Sequence, residues 1–370
     1  MTFTAIRRTL FVLHMWLGLG LGLLLVLLGL SGSVLVYDDA IADLLAPPPK
    51  AVARGPILPL DAIIAAARGQ SSRGPVQLVL PQAPGEAASV RLGAMSRMGP
   101  ARGGRRSATE IFVDPVSGKL LGARKNLQPS FLAFAHQLHG NFLMGRKGRR
   151  FVGWLGVAMV LLGLSGLVLW WPKRGQWKYA FIVRSTARGL RFHRELHAML
   201  GIWAFIVFIL VSFSGVVLAW PQTLGAQPPG FNPQALQTVE PVAGAAPIGA
   251  DRAVALALRA VPDARLRSVT LPGRRNQPIS VALLSHGAIA ASVLIDPYRA
   301  RILSVRDPSQ NFMAWQRPLH QGALGPVWKF LVFLTGLLPT VFVITGVMMW
   351  AKKRAARLAT NAPLPEGAMP

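Results

Sequence analysis

No cysteine occurs anywhere in these 370 residues. That absence excludes disulfides, iron–sulfur clusters, thiolate nucleophiles, cysteine-ligated zinc and covalent c-type haem attachment. Acidic residues are scarce too, 14 against 40 lysines and arginines, for a formal net charge of +26. Charged residues of both signs reach only 15%, while hydrophobic residues make up 52%. The balance is too apolar for an ordinary soluble protein and indicates several membrane spans with polar domains between them. The basic residues flank the apolar stretches, so the charge suits anionic membrane lipid and not nucleic acid.

Four stretches are long enough to cross a bilayer, which takes about 20 apolar residues. The first runs from Leu10 to Tyr37, the second lies between Arg150 and Lys173, the third follows Glu195 and ends near Trp220, and the fourth lies between Lys329 and Lys352. The second and fourth contain no charge, and Pro339 is expected to kink the fourth. Trp170, Trp171, Trp220 and Trp350 stand at span ends, as interfacial anchors do. A cleaved signal has an apolar region of only about 7–15 residues, so the first stretch reads as a retained span. Arg7 and Arg8, the acid-free link from Lys173 to Arg191, and "AKKRAAR" after the fourth span assign both termini and the link to the cytoplasm. Both long insertions then face the periplasm. "GRKGRR", ending at Arg150, is basic on the outer side and needs a local reason.

An internal repeat organises the chain. "LHMWLGL" in the first span parallels "LHAMLGI" in the third, and each histidine precedes a Ser-Gly step (Ser31-Gly32, Ser214-Gly215) at the same spacing. In the insertions "IFVDPVSGKLLGARKN" parallels "VLIDPYRARILSVRDP", and "FLAFAHQLHGNFLMG" parallels "FMAWQRPLHQGALG". Two copies of span, outer domain, span in one orientation imply a pseudo-twofold axis along the membrane normal.

The expected fold is therefore an α-helical membrane protein with four transmembrane helices in two pseudo-symmetric halves, plus two small periplasmic α+β modules. Residues 1–37 form the cytoplasmic N-terminus and first span, 38–149 the first module with its juxtamembrane segment, and 150–172 the second span. A basic cytoplasmic loop (173–192) leads to the third span (193–220). The second module (221–319), a juxtamembrane segment with the fourth span (320–351) and a cytoplasmic tail (352–370) complete the chain. In each module an alanine-rich amphipathic helix, near 59–68 and 249–260, precedes alternating strands such as "VQLVL", "ASVRL" and "PISVALL", and strand pairs turn on Asp-Pro. "APPPKAVARGP" and "AQPPGFNPQ" read as extended linkers, and 97–107 as a mobile basic loop.

Imidazoles are costly at membrane depth and usually face a bundle interior. Of seven histidines, His286 falls in an outer strand with a surface role, and four match across the repeat: His14 with His197, and His139 with His320. A twofold axis brings each pair to one depth, one pair near each membrane face. A proton relay would want carboxylates beside the imidazoles, and none lies inside the spans. Zinc would want a fuller ligand set. Two b-type haems suit the pattern: two axial imidazoles each, an apolar slot, small residues such as Gly18, Gly20, Gly22, Gly163, Gly166, Gly201, Gly336 and Gly346, and arginines for the propionates. Arg7, Arg8, Arg191 and Arg194 crowd the inner pair, and Arg146, Arg149, Arg317 and Lys329 the outer one. His136 and His193 lack repeat partners, yet either could replace its neighbour as ligand.

The "LHMWLGL", "QLHGNFLMG", "PLHQGALG" and "HRELHAMLGIW" elements resemble those of PepSY-associated transmembrane proteins, a group that includes iron-regulated inner-membrane proteins and ferric-siderophore reductases. The resemblance covers residues 1–355. It implies a haem-dependent oxidoreductase of the bacterial inner membrane that reduces a ferric siderophore or other ferric chelate on the periplasmic side and so releases iron. No dinucleotide fingerprint or cytoplasmic flavin domain is present, so the electron donor is expected to be quinol or a separate reductase. The alternatives are a transport component for iron or its chelator, and a non-catalytic accessory protein whose modules bind a partner.

Overall fold

A computed structural model describes residues 3–69, 76–92, 109–125, 130–220, 238–285, 288–306 and 312–360. The elements in chain order are α1 (Phe3–Val36), α2 (Asp38–Leu45), α3 (Leu60–Arg68), β1 (Val76–Val79), β2 (Ala88–Leu92), β3 (Thr109–Val113), β4 (Leu120–Lys125), α4 (Ser130–Asn141), α5 (Gly145–Trp170) and α6 (Trp177–Ala180). After them come α7 (Gly189–Ala219), α8 (Ala250–Ala260), β5 (Arg265–Leu271), β6 (Ile279–Ser285), β7 (Ala288–Asp296), β8 (Arg301–Arg306), α9 (Phe312–Gln321) and α10 (Pro326–Thr360). The chain forms two compact units: Met1–Tyr37, Phe134–Leu224 and Gln316–Pro370 make one, and Asp38–Ala133 with Gly225–Trp315 the other.

The first unit is a helix bundle. Four helices, α1, α5, α7 and α10, are long and apolar enough to cross a membrane. They pack in a closed ring, α1 on α10, α10 on α7, α7 on α5 and α5 on α1. Small residues let backbones approach where no hydrophobic force drives association. Gly29 lies against the Gly336 carbonyl, and the Ser33 hydroxyl donates to Phe333 O at 2.8 Å, stitching α1 to α10. Helix α10 runs through Pro339 as a single element and continues to Thr360, past the expected end of the span.

Helix α5 begins at Gly145, so "GRKGRR" is its first turn and a half and not a separate approach segment. Cations at a helix N-terminus oppose the macrodipole. Arg149 avoids this by reaching the C-terminus of α7, donating to Leu218 O at 2.6 Å and Ala219 O at 3.3 Å. Arg7 on α1 does the same for α5, donating to Leu169 O at 2.6 Å.

The second unit is a sheet carrying two helices. Its eight strands run β4-β3-β2-β1-β5-β6-β7-β8, and every neighbouring pair is antiparallel. The two insertions thus do not build separate sheets: β1 pairs with β5, Leu78 opposite Val269, and joins them. Alternation buries Val76, Leu78, Val90, Ile111, Val281 and Ile295 against Ile63, Ile64 and Ala67 of α3 and Ala253, Val254 and Ala257 of α8. Neither helix has a side-chain cap of its own. Instead Asp251 accepts from the Leu60 and Asp61 amides at 2.8 and 3.0 Å, while Asp61 accepts from the Ala250 and Asp251 amides at 2.7 and 3.3 Å.

Both Asp-Pro turns are locked by their aspartates. Asp114 accepts four backbone amides, from Val116, Ser117, Val52 and Ala53 at 3.0 to 3.2 Å. The Ser117 amide foremost, and then those of Ala53, Val116 and Val52, outweigh burial and bring its pKa down to about 2. Asp296 accepts from Tyr298 and Arg299 amides and pairs with the Arg299 and Arg301 side chains. Buried Glu110 takes Arg91 at 2.8 Å and Arg124 at 2.6 Å, which outweigh its desolvation and hold its pKa below the usual value. The linker at 46–56 is tied in through Ala51, Val52 and Ala53. The second linker, the 97–107 loop and His286 lie outside the described residues.

Candidate functional site

The bundle brings together the four repeated histidines in two pairs. His14 on α1 and His197 on α7 have ring centroids 6.2 Å apart, and His139 on α4 and His320 on α9 have theirs 5.8 Å apart. Along α1, at about 1.5 Å per residue, His14 and the Leu28 contact of His139 are about 20 Å apart. The two pairs therefore occupy opposite ends of the bundle.

What each imidazole does with Nδ1 decides what Nε2 can do. His139 Nδ1 lies 2.9 Å from Leu28 O, and His320 Nδ1 lies 2.9 Å from Val211 O. A carbonyl has no hydrogen to give, so both Nδ1 atoms are protonated donors and both Nε2 atoms carry lone pairs. His14 Nδ1 lies 2.8 Å from Ser165 Oγ, whose own hydrogen goes to Leu161 O at 2.6 Å. His197 Nδ1 lies 2.7 Å from Thr345 Oγ1, which donates to Val341 O at 2.7 Å. These hydroxyls must accept from the rings. In all four rings Nδ1 is the nitrogen that meets an oxygen, at 2.7 to 2.9 Å, which leaves Nε2 as the nitrogen open to a further partner.

In the His139/His320 pair the two Nε2 atoms face each other at 3.5 Å. Two lone pairs at that distance repel, and a proton or a metal ion between them would relieve the contact. A metal bonded to two imidazole nitrogens at about 2 Å each needs about 4 Å. Glycine makes this approach possible. A Cβ on Gly32 would stand 2.8 Å from His139 Cε1, and one on Gly215 2.9 Å from His320 Cε1.

The His14/His197 pair borders a cavity of about 850 Å³ walled by Leu19, Leu162, Phe205, Phe208 and Phe342, with Gly18, Gly163, Gly166, Gly201 and Gly346 along it. Arg7, Arg8, Arg191, Arg194 and Lys353 also line it. Arg191 spends its Nε on Glu195 at 2.9 Å, beside Arg184. Arg8 and Arg194 make no ion pair among the described residues and stay available to an anionic group.

The arginines at the other end differ from expectation. Arg149 caps α7, and the Lys329 ammonium lies 4.9 Å from the Tyr37 ring centroid. Arg146 and Arg317 are exposed, without an ion pair among the described residues. His193 meets the Phe192 ring edge-on and His136 lies near His139 with contacts of its own, and neither belongs to a facing pair. Ser165 and Thr345 were missed by sequence reasoning, although a signal exists: every span carries a Ser-Gly or Thr-Gly step, and only those at Ser31 and Ser214 were used.

Among the described residues no group of three His, Asp or Glu gathers. The candidate donor sets are the two imidazole pairs. The fold and this site define a polytopic α-helical membrane protein with facing histidine pairs at both ends of its bundle. Residues 11–353 match the family described as PepSY-associated TM region, and the chain belongs to that family. Among curated proteins, none matches it.

Proposed function

We propose that this chain is a di-haem b oxidoreductase of the bacterial inner membrane that passes electrons across the bilayer to a ferric chelate, such as a ferric siderophore, on the periplasmic side. The observation that carries the reading is four imidazoles in two facing pairs, each with an oxygen 2.7 to 2.9 Å from Nδ1. The residues fit the group on three counts. The Nε2 separation at one pair is close to what an interposed iron needs, the other pair borders an apolar cavity, and Arg8 and Arg194 at that cavity suit propionates.

Held by these histidines, haem would supply reversible one-electron chemistry. His14 and His197 would hold one group, and His139 and His320 the other. The apolar wall of Leu19, Leu162 and Phe208 limits water beside the His14/His197 pair. The substrate is ferric iron in an oxygen-rich chelator. One electron makes it ferrous, and hard oxygen donors hold ferrous iron less tightly, so the metal is released. Quinol or a separate reductase would supply electrons at the His14/His197 end, and the repeat provides the twofold relation between the halves.

The test is direct. The protein purified in mild detergent from haem-replete cells shows a low-spin b-type spectrum of two haems, extractable by acid acetone because no cysteine can bind them. A colourless preparation would overturn the reading.

A further inference from the structure

Each of the four spans carries a hydroxyl residue followed by glycine that lies beside a histidine: Ser31-Gly32, Ser165-Gly166, Ser214-Gly215 and Thr345-Gly346; a fifth step, Thr335-Gly336, bonds Leu331 O instead. Each of the four hydroxyls approaches a different histidine, but the two pairs use it differently. For His14 and His197 the hydroxyl is the nearest acceptor, at 2.8 and 2.7 Å, with the Leu162 backbone a further partner of His14. For His139 and His320 a backbone carbonyl at 2.9 Å takes that place, and Ser31 and Ser214 stand off at 3.5 and 3.4 Å.

We propose that Ser165 and Thr345 are positioning residues for the His14/His197 pair, fixing both rings with Nε2 toward the cavity and setting that pair's electron-donating power apart from the backbone-anchored pair. The inference rests on the di-haem reading. The physical argument starts from burial. An imidazole N–H in apolar surroundings that loses its acceptor is unsatisfied, and the ring escapes by turning or by moving its proton to Nε2, which then cannot ligate. Each hydroxyl also donates to a helix carbonyl, Leu161 O or Val341 O, and this polarises its oxygen and strengthens its grip on the ring. A ring that donates from Nδ1 is a better base at Nε2 and stabilises ferric over ferrous iron; without the acceptor that preference weakens. The outer rings are anchored on backbone that no side-chain change removes. Their serines are spectators in this respect.

The experiment uses full-length protein in detergent with Ser165→Ala, Thr345→Val, Ser31→Ala and Ser214→Ala, read by potentiometric titration and haem-binding titration. Ser165→Ala and Thr345→Val should each raise the midpoint potential of one and the same centre, the centre that His14→Ala abolishes. They should weaken its haem affinity about ten- to a hundredfold. Ser31→Ala and Ser214→Ala should leave both midpoints in place, and Ser165→Thr and Thr345→Ser should restore the wild-type values. Unchanged potentials and affinities in Ser165→Ala and Thr345→Val, or equal shifts in all four variants, would sink the proposal. Imidazole ¹⁵N resonances of the haem-free protein separate this from the function itself. Nδ1-protonated His14 and His197 that lose the preference in Ser165→Ala and Thr345→Val support the positioning role even if wild type takes up no haem. Nε2-protonated rings in wild type overturn it even if haem is bound.

Discussion

A buried imidazole is as useful as its second nitrogen is well held, and this sets what single substitutions should do. If His14 and His197 share one group and His139 and His320 another, alanine variants fall into two spectral classes. His14→Ala, His197→Ala and their double variant should lose the same haem to a similar extent, because groups acting on one site are non-additive. His136→Ala and His193→Ala, outside both facing pairs, should retain two haems. Optical and electron paramagnetic spectra of the variants check this, and haem loss from His136→Ala or His193→Ala but not from its repeated neighbour would reassign the ligand. Glycine supplies a second residue-scale prediction. Gly32→Leu or Gly215→Leu pushes a side chain into the space of His139 or His320, with a Cβ already 2.8 or 2.9 Å from the ring. Either should disturb the outer centre and spare the inner one, read by the same spectra.

At the scale of elements, α3 and α8 hold each other's N-termini through Asp61 and Asp251. Removing a side-chain cap costs about 1 kcal/mol. Each aspartate caps the partner helix and not its own, so Asp61→Ala should speed amide exchange at the start of α8 more than at α3, and Asp251→Ala the reverse. Acid acts on another element. Asp114 titrates at about 2 in the folded protein against 3.8 ordinarily, so its depressed pKa contributes stability that is complete above about pH 4 and lost as pH falls toward 2. Asp114→Asn should remove that loss in the β3–β4 turn while lowering protection at neutral pH, as hydrogen exchange between pH 5 and 2 would reveal. Much of this scale was legible in the sequence. The helix read near 59–68 is Leu60–Arg68, that near 249–260 is Ala250–Ala260, and both Asp-Pro turns are present, because short-range periodicity and turn chemistry determine them. The crossed aspartate caps and the capping role of Arg149 were not legible. Each joins residues far apart in the chain, and no local pattern announces such a partner. The histidine pairing lies between these cases: the repeat told which residues correspond, while the choice of Ser165 and Thr345 as acceptors depends on how α5 and α10 are rotated in the bundle.

For the whole molecule, the orientation follows from charge and is open to test. Reporter fusions at Gln176 and the C-terminus should report cytoplasm, and fusions near Gly85 and Gly273 periplasm. If Gln176 and Gly273 report the same compartment, the paired histidines no longer share a depth. The union of the insertions in one sheet has a consequence for how the protein is made. Strand β1 borders β2 on one side and β5 on the other, and β5 begins at Arg265, beyond two further spans. While the ribosome is still producing α5 and α7, the first insertion waits with β1 unpaired along one edge, and an open edge invites wrong partners. Closure waits for the late strands, a long-range contact that is slow to form. Biogenesis therefore passes through a half-formed sheet, and a chain ended after α7 should be cleared by proteases while the full chain survives.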